Sequence, residues 1–308
     1  MKICIISVNK SDYAPRRFFE EGKKRGHQMY LTTWASLVFK LDEDGFYLGD
    51  GNKKIDEFDA IIPRSPSFSL KNKRGITSYR LGTLLKLIIE HAKNKKIFVL
   101  NSKFFESYQS LDKLAQQFFL LKNNIPGLDS YFFSPEKSLN KKNILLFPFI
   151  VKTTQGSLGK GVYKINSPRE LKACITKSRK NKTSLLFQRY YPIIYDYRVL
   201  IVKNRPLGAM RRSSSGKEWR TNVSLGGKVD CAPKAEEKKL YALAKKTAQA
   251  MGLDYAGIDI LKDGDSFRVI EINALAQFRG FEKLYTNINV AREVLKLAEI
   301  KTKKRKTS

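Results

Sequence analysis

Histidine and cysteine are nearly absent, with two of one and three of the other in 308 residues. His27 and His91 are too few to support histidine-centred catalysis. Cys4, Cys174 and Cys231 are isolated and odd in number, which excludes a disulfide framework and a cysteine zinc site and fits a reducing cytoplasm. No apolar run approaches the roughly 18 residues of a membrane span. The stretch ILLFPFIV at 144–151 has the length of a buried strand. The start, MKICIISVN, lacks a long apolar h-region and a small-residue cleavage site, so it reads as a first strand and not as a signal peptide. These absences point to a cytoplasmic protein that does not enter a membrane.

Acidic residues are also scarce, 29 against 59 lysines and arginines, for a net charge of +30. Such a surface attracts polyanions and works against self-association, though a homo-oligomer stays open. Part of the excess is a lysine bias spread over every segment. The last eight residues, KTKKRKTS, carry five positive charges and no apolar anchor; 300–308 therefore reads as a disordered basic tail, with RNA or ribosome contact as its alternative role. The remaining length suggests two or three domains.

Residues 1–100 alternate strand and helix: KICIISV, a helix over 13–24, HQMYLTTW, a hairpin in FYLGDGNKKI around Asp50-Gly51, FDAIIPR, a helix over 77–93 and IFVLN. This rhythm predicts a small open α/β sheet. No GxGxxG follows the first strand, so a dinucleotide site is not supported. Arg64 ends its strand, where parallel sheets meet ligands; the competing reading is a solvated strand-end charge. Residues 101–190 form a second unit, with a helix from 110 to 122, strands in SYFF, PFIVKTT and LLFQRY, and a Ser167-Pro-Arg-Glu capping box. In the third, 191–299, YRVLIV pairs with PLGAMRR around Asn204-Arg205, Ala235 to Met251 is an amphipathic helix, and a last helix lies near 291–298.

Two stretches carry chemistry. Gln155-Gly-Ser-Leu-Gly-Lys-Gly161 is glycine-rich but flanked by strands, so it is neither a Walker loop nor a Rossmann turn. A loop of this kind can fold as a flap whose backbone N–H groups cover phosphates. Lys152, in an otherwise apolar strand, needs a partner or water, and a nucleotide phosphate suits it. The second stretch, Ala256 to Glu282, predicts two strands joined near Asp263-Gly264. If Leu261 faces Phe267, then Asp259, Glu271 and Asn273 share one sheet face, while Ile258, Ile260, Ile270 and Ile272 share the other. A two-residue Asp-Gly turn would slip the pairing by one and split both sets. Carboxylate, carboxylate and amide oxygen suit Mg²⁺; the plainer alternative is two surface acids on a half-exposed hairpin.

The order of motifs is more specific than any one of them. Asp112-Lys113, Lys152, the flap 156–161, Phe187-Gln-Arg-Tyr190, Asp196-Tyr-Arg198, Arg211-Arg212, Trp219-Arg-Thr-Asn222, Asp259 and Glu271-Ile-Asn273 follow one another over residues 60 to 295. This resembles the ATP-grasp superfamily, and within it the RimK-type α-L-glutamate ligases. The resemblance implies a pre-ATP-grasp α/β domain followed by two α+β subdomains that clasp ATP. It also implies a carboxylate–amine ligase working through an acyl phosphate, with Mg²⁺ as cofactor and Mn²⁺ as a substitute. By analogy Lys113 and Lys152 would contact ATP phosphates, with Gly156, Ser157, Gly159 and Gly161 in the flap. Gln188, Tyr190, Tyr191 and Asp196 would border the nucleotide, and Asp259, Glu271 and Asn273 would hold the metal. Arg211, Arg220 and Asn222 would serve the reaction, and Arg64, Arg198 and Arg212 acidic substrates; for any one arginine, a solvated surface charge is the alternative. The implied partners are an amino-acid donor, glutamate foremost, and an acidic protein tail or small-molecule carboxylate.

Two departures from the family pattern stand out. Arg189 occupies a place where relatives usually have an acid, and Ala274-Leu-Ala-Gln-Phe-Arg-Gly280 lacks the usual Pro-Gly after the metal strand. The rival reading is an impaired homologue that binds RNA or ribosomes through its basic surface.

Overall fold

Lys2–Ser7 is a nearly unbroken run of isoleucine and cysteine, the composition of a parallel strand covered on both faces. The computed structural model describes residues 1–43, 45–64, 69–71, 77–108, 112–133, 146–154, 161–214 and 227–307. In it this segment is β1, followed by α1 (Tyr13–Lys24), β2 (Gln28–Thr33), β3 (Val38–Asp42), β4 (Gly45–Gly49) and β5 (Ala60–Pro63). Next come β6 (Ser69–Lys71), β7 (Thr77–Arg80), α2 (Leu81–Asn94) and β8 (Phe98–Val99). The parallel sheet runs β2-β1-β5-β8.

Two expectations shift here. The ribbon pairs β3 with β4, while Asp50-Gly51 makes only a tight turn closed by the Gly49–Lys54 bridge. Asp50 fixes that turn by accepting from the Asn52 and Lys53 amides and from the Tyr30 and Thr32 hydroxyls. The helix expected from Thr77 begins at Leu81, because Thr77–Arg80 pairs with Ser69–Lys71 instead.

The second unit holds α3 (Ser102–Ser107), α4 (Lys113–Lys122), β9 (Ser130–Tyr131), β10 (Phe149–Thr153), β11 (Val162–Ile165), α5 (Pro168–Lys180) and β12 (Leu185–Arg189). Its antiparallel sheet runs β11-β10-β12-β9. Ser167 caps α5 with proline in the first turn, as its sequence requires. The third unit holds β13 (Tyr195–Val202), β14 (Arg205–Ser213), β15 (Lys228–Cys231), α6 (Lys234–Ala250), β16 (Tyr255–Asp263), β17 (Ser266–Asn273), α7 (Arg279–Leu284) and α8 (Val290–Thr307). Its sheet runs β15-β14-β13-β16-β17. The β13–β14 turn is Lys203-Asn204, both at positive φ, one residue before the expected position.

The basic end is not a disordered tail. Val290, Val294, Ala298 and Thr302 repeat every four residues and are all buried, so the apolar stripe of α8 continues into the lysine-rich segment. Arg305 donates to the Ile97 carbonyl and stacks on Phe98, while Lys301 pairs with Asp254 at 3.8 Å. One hydrophobic cluster joins Ile3, Ile5 and Phe18 to Leu200, Tyr255, Phe278, Phe281 and Leu295, so α8 and the 274–281 segment weld the first sheet to the third.

Asn101 staples the same seam. It is fully buried in the left-handed region at φ 60, and its Nδ2 donates to the carbonyls of Tyr255 and Ala274. Its Oδ1 accepts from the Asp254 and Tyr255 amides at 2.7 and 2.9 Å. Asn101→Ala is expected to lose about 3 kcal/mol, because buried backbone groups lose their partners and alanine resists positive φ. The shift of the urea midpoint at constant m-value measures it.

Candidate active site

The acidic face is built by the β16–β17 hairpin, through a register that differs from the expected one. The strands turn over Gly264-Asp265, pairing Asp263 with Ser266 and Leu261 with Arg268, one residue away from Leu261 facing Phe267. A bulge at Ile270 then absorbs the slip, so that Asp259 stands opposite Glu271 and Gly257 opposite Asn273. Ile258, Ile260, Val269 and Ile272 fill the core, with Val269 taking the place expected of Ile270. Ile270 packs instead beside Leu128, Tyr191 and Leu261. Asp259, Glu271 and Asn273 do meet: Asn273 Nδ2 lies 3.1 Å from Glu271 Oε1 and 3.4 Å from Asp259 Oδ2.

Two residues that the sequence reading missed brace this bulged strand from α4. Gln116 Oε1 accepts from the Ile272 amide at 2.8 Å, and Gln117 Nε2 donates to the Ile270 carbonyl at 2.9 Å. Gln117 Oε1 also accepts from the Leu128 amide at 2.8 Å. The available signal was a pair of glutamines inside an amphipathic helix, since buried amides require partners.

Arginines surround Asp259. Arg198 forks it through Nε and Nη2, each at 2.7 Å, and Arg212 Nη2 lies 3.0 Å from its Oδ2. Arg212 in turn forks Asp196 at 2.7 Å through both nitrogens. Asp196, Arg212 and Asp259 are all buried. Burial pushes the Asp259 carboxyl up, yet Arg198 and Arg212 outweigh it and hold the acid below its ordinary range. Burial likewise opposes the Arg212 charge, and the two aspartates more than restore it. Asp196 and Arg212, expected at nucleotide and substrate, thus face each other within the acidic site.

The cationic side comes from the second unit. Asp112 caps α4 by accepting from the Ala115 amide, and the Lys113 backbone amide donates to the Thr154 carbonyl at 3.0 Å. Lys113 Nζ reaches the Thr153 carbonyl at 3.2 Å. Burial lowers the pKa of Lys113, with Glu271 opposing the shift. Lys152 is brought down to about 8, first by burial and also by the Lys113 charge, against the pull of Glu271, Asp259 and Asp196. Lys113 and Lys152 therefore feel the acidic face directly. Gly161, which ends the glycine-rich stretch, has φ 75, and a Cβ there would lie 2.4 Å from Thr153 Oγ1; alanine does not fit there.

At the strand end beyond, Gln188 is buried with Nε2 donating to Ser130 Oγ at 2.7 Å and Oε1 unpartnered. Tyr190 lies under Lys164 at 4.0 Å, and Tyr191 lies between the guanidinium groups of Arg189 and Arg268. Arg189 points outward to Asp129 at 3.6 Å. Arg211 is half-buried over Tyr195 and 3.6 Å from Asp230. Arg64 is fully buried beneath residues 275–276, away from this face. Gly156, Ser157, Gly159, Trp219, Arg220 and Asn222 lie outside the described residues.

The donor set fits a hard cation. Two carboxylates stand opposite each other, and the Asn273 amide, turned over, brings its oxygen to the same point. Two family models match this chain, the RimK-like ATP-grasp domain over residues 107–298 and the RimK PreATP-grasp domain over 1–81. The chain belongs to the RimK-like ATP-grasp family. It is 27% identical to a probable alpha-L-glutamate ligase of Legionella pneumophila, over 98% of this chain and 97% of that one. A probable alpha-L-glutamate ligase of Shewanella pealeana is 26% identical over 98% of this chain, which spans 63% of that relative's length. The ATP-grasp ligase PsnB, solved with a phosphomimetic variant of its minimal precursor, Mg and ADP, shares the fold at a TM-score of 0.73 and 19% identity, covering 97% of this chain and 98% of PsnB. This RimK-like chain is thus an ATP-grasp ligase of the C–N bond-forming type. Among its described residues, no helix is long and apolar enough to cross a membrane.

Proposed function

We propose that this protein is a Mg²⁺-ATP-dependent carboxylate–amine ligase that adds an amino acid, glutamate foremost, to a carboxylate of a protein tail or small molecule. The observation that carries the reading is the opposition of Asp259, Glu271 and Asn273 to Lys113 and Lys152. A carboxylate oxygen attacks the γ-phosphorus and ADP leaves; the amine nitrogen then attacks the acyl carbon, phosphate leaves, and the amine gives up a proton. Lys113 and Lys152 hold the phosphates in line, and the carboxylate pair with Asn273 positions the cation. The ion, when bound, neutralises charge on the transferred group. No protein nucleophile is required, in keeping with the scarcity of histidine and cysteine. Gln188 and Tyr190–Tyr191 border the base, and Arg211, Arg220 and Asn222 serve the acyl phosphate. The docked α8 removes the free tail on which an RNA-binding reading leaned.

The test is phosphate release from Mg²⁺-ATP with each common amino acid and a set of glutamate-ended peptides, followed by mass spectrometry of the product. Release that depends on one amino acid, with the matching mass gain, is the expected result; release that no amino acid or acceptor changes counts against the ligase.

Lys152 also sets a pH dependence. Below about pH 8 it is charged and attracts the triphosphate; above that it is neutral. The KM for ATP is therefore expected to rise as pH passes 8, and Lys152→Arg, charged throughout, to flatten the profile. An unaltered profile in that variant removes Lys152 from the phosphates.

A further inference from the structure

The seam between α1 and α8 is a ladder of polar pairs that leaves a surplus of cations. Tyr13, Arg17, Glu21 and Arg25 recur every four residues along α1 and its end, and each reaches across to α7 or α8. Tyr13 and Arg17 both donate to Glu282. Glu21 accepts from Asn289 Nδ2 and Arg292 Nε, each at 2.9 Å. Arg25 forks Glu299 through Nε and Nη2, and His27 Nε2 lies 2.7 Å from the same carboxylate. Burial pushes the Glu21 carboxyl up, and the bonds from Arg292 and Asn289 more than offset it. The acids of the seam are thus already engaged.

An open cavity of about 500 Å³ lies in this seam, lined by Glu21, Lys24, Arg25, Arg292 and Lys296. Four cations therefore surround one carboxylate that is already paired. Lys24 makes no hydrogen bond or ion pair among the described residues. Lys296 has only Glu293, at 3.2 Å, and Arg205 holds that acid as well. Arg292 keeps both terminal nitrogens, and Arg25 its Nη1, without a hydrogen bond. α1 ends at Lys24, and such an end presents carbonyls, so every donor into the cavity is a side chain.

We propose that the α1–α8 cavity binds a compact, multiply charged phosphate compound, either inorganic pyrophosphate or a small phosphorylated molecule of similar charge. Lys24 and Lys296 supply point charges, and the unused edges of Arg25 and Arg292 supply N–H groups in the planar geometry that phosphoryl oxygens match. The surplus of positive charge exceeds what one carboxylate can neutralise. No lining residue is aromatic, so a nucleotide or RNA base gains no stacking here. A long polyanion fits poorly as well. Glu20 and Glu293 stand one helical turn before Lys24 and Lys296, and Ile300, not a cation, stands one turn after. A ligand in the cavity ties α1 to α8 and tightens the weld between the first sheet and the third. None of Lys113, Lys152, Asp259 and Glu271 lines it, so the site does not rest on the ligase reading.

The test is calorimetry on the full-length protein at physiological salt without Mg²⁺, using pyrophosphate, fructose 1,6-bisphosphate and citrate as probes. Three variants accompany the wild type. Lys24→Gln with Lys296→Gln empties the cavity of its two spare charges and leaves the ion pairs of the seam in place. Lys238→Gln with Lys239→Gln removes as many exposed charges from α6, and Lys152→Met reports on the nucleotide phosphates. One pyrophosphate or bisphosphate is expected to bind per chain, with affinity reduced about 10-fold or more in the first variant only. The tighter of the two probes tells the inorganic anion from the phosphorylated molecule. That ligand is also expected to raise the urea midpoint of the wild type and not that of the first variant, whose ligation rate stays at the wild-type level. Equal losses in the α6 variant, or citrate binding as tightly as either phosphate compound, would reduce the cavity to part of a generally basic surface and overturn the proposal. A loss confined to Lys152→Met assigns the binding to the nucleotide site and overturns it too. So does the absence of binding, or binding of a single-stranded RNA alone.

Discussion

Glu271→Gln is expected to lower ligation about a thousandfold, the several kcal/mol of a lost ion contact, while leaving the unfolding midpoint unchanged. The second half of that result follows from the structure. Glu271 is partly exposed, and its Oε1 accepts from Asn273 Nδ2 at 3.1 Å, a bond that glutamine can keep through its own oxygen. Asp259 is different. It is 3% exposed, and Arg198 and Arg212 both point at it. Asp259→Ala leaves two guanidinium groups facing an empty position and is expected to cost about 3 to 5 kcal/mol in stability as well as the activity. Parallel measurement of turnover and urea midpoint in both variants separates the two acids. Wild-type turnover in Glu271→Gln, at saturating ATP and Mg²⁺, would remove that residue from the metal set. Loss of activity in Asp259→Ala alone would say little, because an unfolded protein is also inactive.

Much of this was legible in the chain. That Asp259, Glu271 and Asn273 share one face could be read because three oxygen-bearing side chains interrupt apolar runs, and because the apolar set fixes which face they share. The exact pairing could not, since a bulge at Ile270 and a turn one residue later than Asp263-Gly264 give the same parity by another route. Lys152 was legible as a lysine in an apolar strand. The mutual grip of Asp196, Arg212 and Asp259 was not, because register across β13, β14 and β16 decides it and no single strand records that register. The basic end was misread for a related reason. Charge density suggested disorder, whereas Thr302 prolongs a four-residue apolar repeat that docks the helix on Asp59 and Phe98. Arg64 was visible as a strand-end charge, but its burial depends on Leu275 and Ala276, more than two hundred residues away in sequence.

Arg212→Met is expected to be the most destabilising single change in the acidic site, and the one most responsive to Mg²⁺. Its Nη2 is shared between Asp196 Oδ2 at 2.7 Å and Asp259 Oδ2 at 3.0 Å, and all three side chains are almost completely buried. Removing the guanidinium leaves two buried acids facing each other without the cation that bridges them, a loss of about 3 to 5 kcal/mol. A divalent cation bound by Asp259 and Glu271 replaces part of the missing charge. Millimolar Mg²⁺ is therefore expected to raise the urea midpoint of Arg212→Met more than that of the wild type, where the ion competes with two arginines for the same carboxylate. Adding Asp196→Asn removes one of the two facing charges and is expected to recover a large share of the stability, since the two positions couple directly. A loss below about 1 kcal/mol, the range of a solvent-screened pair, together with no response to Mg²⁺, would contradict both the buried triad and the placement of the cation beside it.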